Sequence, residues 1–182
     1  EVTTGLTEYK QYALSNNVDD RIISFLNYRP NLLHKIDKNS PSWPSPRSWE
    51  IANKLLKAGI DIDPAVGNGA AVEFRSFCKI YKNLPSITPI LEGKSEPAFP
   101  KDLSEKYALT CALAVRAKTL SNIKNAFLYL NSKSSMEWLS QCAHDISYIF
   151  KKKGKSEELI TMITEDKRLM KVADDLSKLL AA

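Results

Sequence analysis

Apolar residues recur at intervals of three and four along most of this chain, and this spacing limits the folds that it can adopt. Such an interval places side chains on one face of an α-helix, whereas a half-buried strand alternates at every second residue. Convincing two-residue alternation is absent, as are the patterns of a parallel sheet. The sequence therefore predicts an all-α fold, a helical bundle. Helices are predicted at Leu6–Ser15, from Asp19 or Asp20 to Arg29, at residues 32–36, from Pro46 to Gly59, from Gly69 to Tyr81, at residues 103–117, around 120–130, 136–149 and 156–163, and through Leu169, Val172, Leu176, Leu179 and Leu180.

The composition changes at residues 84–100, which hold four of the nine prolines together with Gly93. Prolines at this density interrupt regular helix, so the segment is predicted to be an irregular connector. The chain is accordingly divided into a helical subdomain over residues 1–88 and a helical extension over residues 89–182. Residues 103–117 are apolar on nearly all sides, which predicts that their helix is central.

The composition is typical of a soluble globular protein, with 43% hydrophobic and 26% charged residues among 182. No apolar run approaches the length that crosses a bilayer. Cys78, Cys111 and Cys142 lie far apart within apolar helical patterns and form no CxxC or Cys/His spacing. They predict buried, reduced thiols in a cytoplasmic protein, without a disulfide framework or a zinc site.

The net charge of +5 raises the question of nucleic acid binding, and residues 151–155 are the densest basic run. Lysines at the end of a helix are favoured by the negative end of its dipole, and Gly154 is suited to end that helix. No aromatic residue interleaves the run to stack on bases. A solvated helix end is therefore the favoured interpretation, and nucleic acid binding is the less favoured one.

A cation is predicted in the first turn of a helix at Ser45-Pro46-Arg47. Ser45 is suited to the N-cap and Pro46 to the first helical position, where no amide hydrogen is needed. The positive end of the helix dipole disfavours an arginine there by roughly 0.3–1 kcal/mol, which a bound anion would offset. Helix N-termini bind phosphate, and a guanidinium beside the amides would make a joint site. The simpler alternative is that Arg47 is a solvated surface residue.

Four other residues have both a functional and a structural interpretation. Arg29 could bind a second phosphate, but the favoured interpretation is that it lies at a helix end and hydrogen-bonds the last carbonyl groups of that helix. Trp43 could line the adenine side of a nucleotide, but packing is favoured. His34 and His144 lack the neighbours of a metal or catalytic set, so neither is predicted to be a ligand or a base.

A complete ATP-hydrolysing site is not predicted in this chain. Such a site needs a glycine-rich loop with its lysine, an Asp for magnesium and a residue that orients water. The six glycines lack the spacing of such a loop, and Gly67-Asn68-Gly69 is predicted to begin a long helix instead. The chain is therefore not expected to hydrolyse ATP by itself.

Three ordered segments resemble the helical lid of AAA+ ATPases of the MoxR type. They are residues 22–33, with Phe25-Leu26, Arg29-Pro30 and Leu32-Leu33; residues 45–50, Ser-Pro-Arg-Ser-Trp-Glu; and residues 66–74, Val-Gly-Asn-Gly-Ala-Ala-Val-Glu-Phe. The likeness covers roughly residues 10–85 and continues more weakly, toward the C-terminal extension of that family, through most of the remainder.

The resemblance implies that Arg47 is the sensor-2 arginine, supported by Ser45 and Pro46, and that it reaches the γ-phosphate of ATP in the intact protein. It also implies ATP and Mg²⁺ held by an N-terminal AAA+ core of the same polypeptide, and a homo-oligomeric ring, commonly a hexamer. Chaperone-like remodelling beside a von Willebrand A-domain partner is a further implication. The alternative from a different class is a non-catalytic helical adaptor module that docks a partner through its last helices.

Overall fold

The computed structural model describes residues 5–170 and residue 173, and this part of the chain is all-helical, as predicted. The described residues form ten α-helices and one 3₁₀ turn and contain no strand. The helices are α1 (Leu6–Ser15), α2 (Asp20–Tyr28), α3 (Pro46–Lys57), α4 (Asp63–Val66), α5 (Asn68–Ile80), α6 (Ile87–Leu91), α7 (Leu103–Arg116), α8 (Leu120–Lys133), α9 (Met136–Lys152) and α10 (Ser156–Glu165), and the 3₁₀ turn is Pro30–Leu32. Among these helices, none combines the length and apolar character that crossing a membrane requires.

The chain divides into two compact units, a first unit over Glu1–Asn83 and a second unit over Leu84–Ala182. The division lies between residues 83 and 84, whereas the sequence predicted it after residue 88. The reason for the difference is that α6 packs against α7 and α8 of the second unit. Ile87, Ile90 and Leu91 of α6 are all buried. The prediction of an irregular connector over residues 84–100 is therefore wrong at α6.

Aromatic rings from three helices form the core of the first unit. Phe25 of α2, Trp49 of α3 and Phe74 of α5 are almost fully buried. The ring centroids lie 5.7 Å apart for Phe25 and Trp49, 5.9 Å for Trp49 and Phe74, and 5.4 Å for Phe25 and Phe74. Large rings in such contact contribute strongly to stability, so they fix the start of α3 relative to α2 and α5.

Local signals set the helix ends of the first unit as predicted. The Asp19 side chain caps α2 by accepting a hydrogen bond from the Arg21 amide at 3.0 Å. The helix ends at Tyr28, before Arg29 and Pro30. After α3, Gly59 has φ 71°, a left-handed conformation that ends helices at low cost when the residue is glycine.

Two short segments differ from the predictions. Residues 32–36 do not form a helix, because the chain makes only the 3₁₀ turn Pro30–Leu32. Residues 60–64 were expected to be extended, but their last part belongs to α4, in which Ala65 and Val66 are buried. In α4 the packing of Ala65 and Val66 decides the local structure.

The second unit is built around α7, as predicted from its apolar composition. Residues 108–114 are buried without interruption, and α7 packs against α6, α8 and α9. At the end of α9, Gly154 has φ 68°, and its amide and that of Lys155 donate to carbonyl groups of the last turn. This geometry confirms the helix-end interpretation of residues 151–155. The predicted closing helix through Val172, Leu176, Leu179 and Leu180 lies outside the described residues.

The three cysteines are thiols, but they differ in burial. Cys111 and Cys142 are buried, as predicted. Cys78 is only half-buried, and burial raises the pKa of its thiol to about 11. Because the thiolate is the reactive form, Cys78 is a poor nucleophile at neutral pH.

Candidate anion-binding site

The first turn of α3 is closed by a reciprocal pair of serines. The Ser45 hydroxyl accepts a hydrogen bond from the Ser48 amide at 3.1 Å, and the Ser48 hydroxyl accepts one from the Ser45 amide at 2.7 Å. Pro46 occupies the first helical position, and the Trp49 amide donates to the Ser45 carbonyl at 3.0 Å. Ser45 and Pro46 therefore start the helix as predicted. Within the described residues, only the Arg47 amide of this turn is left without an acceptor.

Arg47 projects from this turn and is exposed. Its guanidinium makes no hydrogen bond or ion pair with any described residue. The other three arginines of the first unit each hold a carboxylate. These pairs are Arg21 with Asp19 at 2.8 Å, Arg29 with Glu73 at 2.5 Å, and Arg75 with Asp61 at 2.7 Å and Asp63 at 3.0 Å. Within the described first unit, Arg47 is thus the arginine whose charge has no internal partner.

The loop that leads into α3 is held by main-chain contacts. The Lys35 amide donates to the Pro44 carbonyl at 3.0 Å, and the Ser48 hydroxyl donates to the Trp43 carbonyl at 2.9 Å. The indole N–H of Trp49 donates to the Leu32 carbonyl at 2.8 Å. These bonds join the loop, the first turn of α3 and the 3₁₀ turn, so the backbone that carries Arg47 is fixed.

Gly67 supports the same loop from the other side. Its φ is 79°, and a Cβ placed on it would lie 2.6 Å from the Ser42 carbonyl oxygen. Only glycine allows both this backbone conformation and this approach. As predicted, Gly67-Asn68-Gly69 begins a helix, α5. The glycine thus serves the packing of the loop at Ser42.

The three segments that carry the resemblance meet in the first unit. Phe25, Trp49 and Phe74, one from each segment, share the aromatic core. Arg29 of the first segment pairs with Glu73 of the third. Residues from the three segments therefore contact one another in space.

The interpretations of Arg29 and Trp43 need correction. The Arg29 guanidinium does not hold carbonyl groups, because its Nη2 pairs with Glu73, and its buried Nε has no hydrogen-bond partner in the described part of the chain. Trp43 remains 38% exposed, so packing, which was favoured, covers only part of its ring. Contact between Trp43 and a nucleotide stays a prediction.

The one acidic residue of α3 is Glu50, which is half-buried. Hydrogen bonding to the Glu50 side chain is the largest cause that raises the pKa of the Tyr12 phenol. Burial, followed by the charge of Glu50, raises the pKa of Tyr9 on the same helix. Residue spacing does not predict this effect, because Tyr9 and Tyr12 lie on α1 and Glu50 lies on α3.

Arg47 could bind an anion, but the described residues offer no metal-binding side chains to act with it. They contain no group of three or more His, Cys, Asp or Glu side chains that could hold a metal ion. Both His34 and His144 are exposed. The chemistry available at Arg47 is the recognition of a negative charge by a guanidinium and one amide.

No family model matches this chain, and neither a curated protein nor a solved structure matches it. The resemblance to MoxR-type lids therefore stays a prediction from the sequence.

Proposed function

We propose that this chain is the helical lid of a MoxR-type AAA+ ATPase together with its C-terminal extension. Arg47 is the sensor-2 arginine in this proposal and contacts the γ-phosphate of ATP held by an N-terminal core of the same polypeptide. The observation that carries the proposal is an exposed arginine without a described partner, on a backbone that several hydrogen bonds hold in place.

Electrostatics support a ligand at Arg47. An arginine in the first turn of a helix is repelled by the dipole, by roughly 0.3–1 kcal/mol at an exposed position. The other arginines of the first unit offset their charge with carboxylates. A phosphate would offset the charge of Arg47, and its oxygens match the fork of a guanidinium.

The residues present fit one part of an ATP site. Arg47 supplies a guanidinium and one amide, and no carboxylate among the described residues pairs with that guanidinium. The phosphate loop and the ligands of Mg²⁺ would accordingly belong to the core, where Mg²⁺ would help to neutralise the phosphates. Ser45, Ser48 and Pro46 hold the backbone of Arg47 and do not themselves bind in this proposal.

The same arrangement gives the lid a dependence on nucleotide state. Arg47 gains a strong contact only when the γ-phosphate is present, so ATP favours the lid position in which Arg47 reaches the nucleotide. Hydrolysis removes that contact and releases the lid. In a ring of such subunits, commonly a hexamer, this movement would drive chaperone-like remodelling beside a von Willebrand A-domain partner.

The test is Arg47→Ala in the polypeptide that includes the core. Loss of a charge-assisted phosphate contact of about 1.5–3 kcal/mol predicts a roughly tenfold to hundredfold lower kcat/KM for ATP. Arg47→Lys keeps the charge but loses the two parallel hydrogen bonds of a guanidinium, so its kcat/KM should lie between those of the wild type and Arg47→Ala. Lys54→Ala, which removes another exposed cation from α3, is the matched control and should leave turnover unchanged.

Two results would refute the proposal. One is an Arg47→Ala enzyme that turns over ATP like the wild type. The other is a coding sequence in which no phosphate loop precedes this chain, which would favour the adaptor module instead. Circular dichroism of the Arg47→Ala chain should show intact helices, because the substitution is on the surface.

A further inference from the structure

A groove with a volume of 1010 Å³ lies between α8 and α10 of the second unit. Leu120 and Lys124 of α8 line one side of it. The opposite side is formed by α10 and the residues just after it, with Met162 near the middle of that helix. Arg47 belongs to the first unit and does not line this groove. An inference about the groove is therefore independent of the proposed function.

The packing of α10 explains why the groove has well-defined sides. Leu159 and Ile163 are buried, and α10 packs against α8 and α9. Met162 lies beside this buried face and is only half-buried. An ion pair of 2.6 Å joins Lys124 of α8 to Asp166, directly after α10. The two sides of the groove are thus held together by apolar packing and by a charge pair.

Each side of the groove presents an accessible apolar side chain. Leu120 from α8 and Met162 from α10 both line the groove and are both half-buried. Contact with apolar side chains of a partner would remove their remaining surface from water, which favours association. The flexible methionine side chain can also adapt to the shape that it meets.

The charges along the groove favour a cationic partner. Glu157 and Glu165 line it, are exposed and form no ion pair with any described residue. Glu158 has only a distant pair with Lys155, at 3.4 Å. Lys167 is the lining lysine that has no carboxylate partner in the described part of the chain. Negative charge therefore predominates here, although the whole chain has a net charge of +5.

We propose that this groove binds an amphipathic helix of a partner protein. The apolar face of that helix packs on Leu120 and Met162, and its lysines or arginines contact Glu157 and Glu165. Helices commonly dock in this way, with their apolar face in a groove and charged residues at its edges. The volume of 1010 Å³ is just above the usual range for small-molecule sites, about 300–1,000 Å³.

The spacing of the two glutamates matches the repeat of a helix. Glu157 and Glu165 are eight residues apart on α10, which corresponds to roughly 12 Å along its axis. A partner helix that lies along α10 spans the same distance with basic residues seven or eight positions apart. Its residues three and four positions after the first basic residue share that face and would be apolar. The expected partner sequence is therefore basic, apolar and basic at helical spacing.

The first experiment uses a fluorescein-labelled peptide of about 18 residues, long enough to form a helix, with a stripe of leucines flanked by lysines on an alanine background. Titration with this chain, followed by fluorescence anisotropy, should show saturable binding that weakens as the salt concentration rises from about 0.05 to 0.5 M. A peptide with glutamate in place of lysine should bind about tenfold more weakly or worse, and so should a peptide with serine in place of leucine.

Variants of the chain locate the binding site. The double variant Glu157→Gln/Glu165→Gln should weaken binding about fourfold to 25-fold, because each exposed charge pair contributes about twofold to fivefold. Met162→Gln should weaken it about fivefold, the effect of covering roughly half of a methionine side chain. The matched control is Glu137→Gln, at an exposed carboxylate in the first turn of α9, and it should leave the affinity unchanged.

Three results would overturn the proposal. One is the absence of saturable binding up to about 1 mM peptide. Another is equal binding of the serine peptide, which would show that the glutamates only attract cations. The third is a Glu157→Gln/Glu165→Gln chain that keeps its helical circular dichroism spectrum and binds like the wild type. Arg47→Ala, which tests the proposed function, should not change the affinity for the peptide.

Discussion

Three glycines of the first unit provide a graded test of how tightly the loop before α3 is held. Gly67 combines φ 79° with a close approach, since a Cβ would lie 2.6 Å from the Ser42 oxygen. Gly59 has φ 71° but no atom within 4 Å of such a Cβ. Gly69 has neither constraint. Replacement of each by alanine reduces the entropy of the unfolded chain equally, so differences among the variants report on the folded state.

The expected changes follow from these geometries. Gly69→Ala should be neutral or stabilise the first unit by about 0.5 kcal/mol, because alanine is the better helix former. Gly59→Ala should cost about 1–2 kcal/mol for the left-handed conformation. Gly67→Ala should cost about 3 kcal/mol or more, because a conformation reserved for glycine and a clash with backbone atoms act together.

The assay is urea unfolding in a Trp138→Phe background. The two remaining tryptophans, Trp43 and Trp49, both belong to the first unit, so their fluorescence reports its unfolding alone. With a slope of about 1–3 kcal/mol per molar urea, the midpoint for Gly67→Ala should fall by about 1–3 M.

One result would refute the reasoning. If Gly67→Ala were no less stable than Gly59→Ala, the contact with Ser42 would impose no cost, and the loop would move away readily. The claim that the backbone of Arg47 is fixed would then fail as well.

Two further predictions concern a buried ring and an ion pair. Trp49→Phe should destabilise the first unit by about 2–4 kcal/mol, because it leaves the Leu32 carbonyl without its donor and a gap beside Phe25 and Phe74. Trp43→Phe, at an exposed ring, should change stability by less than about 0.5 kcal/mol in the same unfolding assay. Hydrogen bonds from Arg168 and Lys124 lower the pKa of Asp166 in the folded chain. The ionised Asp166 carboxylate therefore stabilises the fold fully above the ordinary Asp pKa of about 3.9. This contribution should be lost as the pH falls further and the carboxylate is protonated. The stability difference between wild type and Asp166→Asn, followed by urea unfolding from pH 6 to pH 2, should therefore shrink with acidification, and a constant difference would contradict the pairing.

The helices that the sequence predicted well are those whose ends carry local signals. Ser45 and Pro46 determine the start of α3 from neighbouring atoms alone, and Gly59 determines its end. The short helices were missed because prolines were interpreted as breaks. Pro64 and Pro89 lie in the first turns of α4 and α6, where a missing amide costs nothing, and burial of the apolar residues around them decides the structure.

The site shows the same division between local and distant causes. The exposed arginine in a first turn follows from the order of residues around Arg47. The pairing of Arg29 with Glu73 depends on which helices lie side by side. Helical spacing gives the face of each residue on its own helix, but it does not give the neighbour of that face.

The hydrogen bonds of the first turn also change how an anion would bind there. A free helix N-terminus offers several amides to a phosphate, but here Pro46 has none, and the amides of Ser48 and Trp49 are bonded to Ser45. The joint site expected from the sequence therefore reduces to the Arg47 guanidinium and its own amide. One arginine with one amide binds a triphosphate weakly in water, since exposed charge pairs contribute little. Strong binding thus requires a second surface that excludes water and supplies the remaining contacts, which is what the core provides in the proposed function.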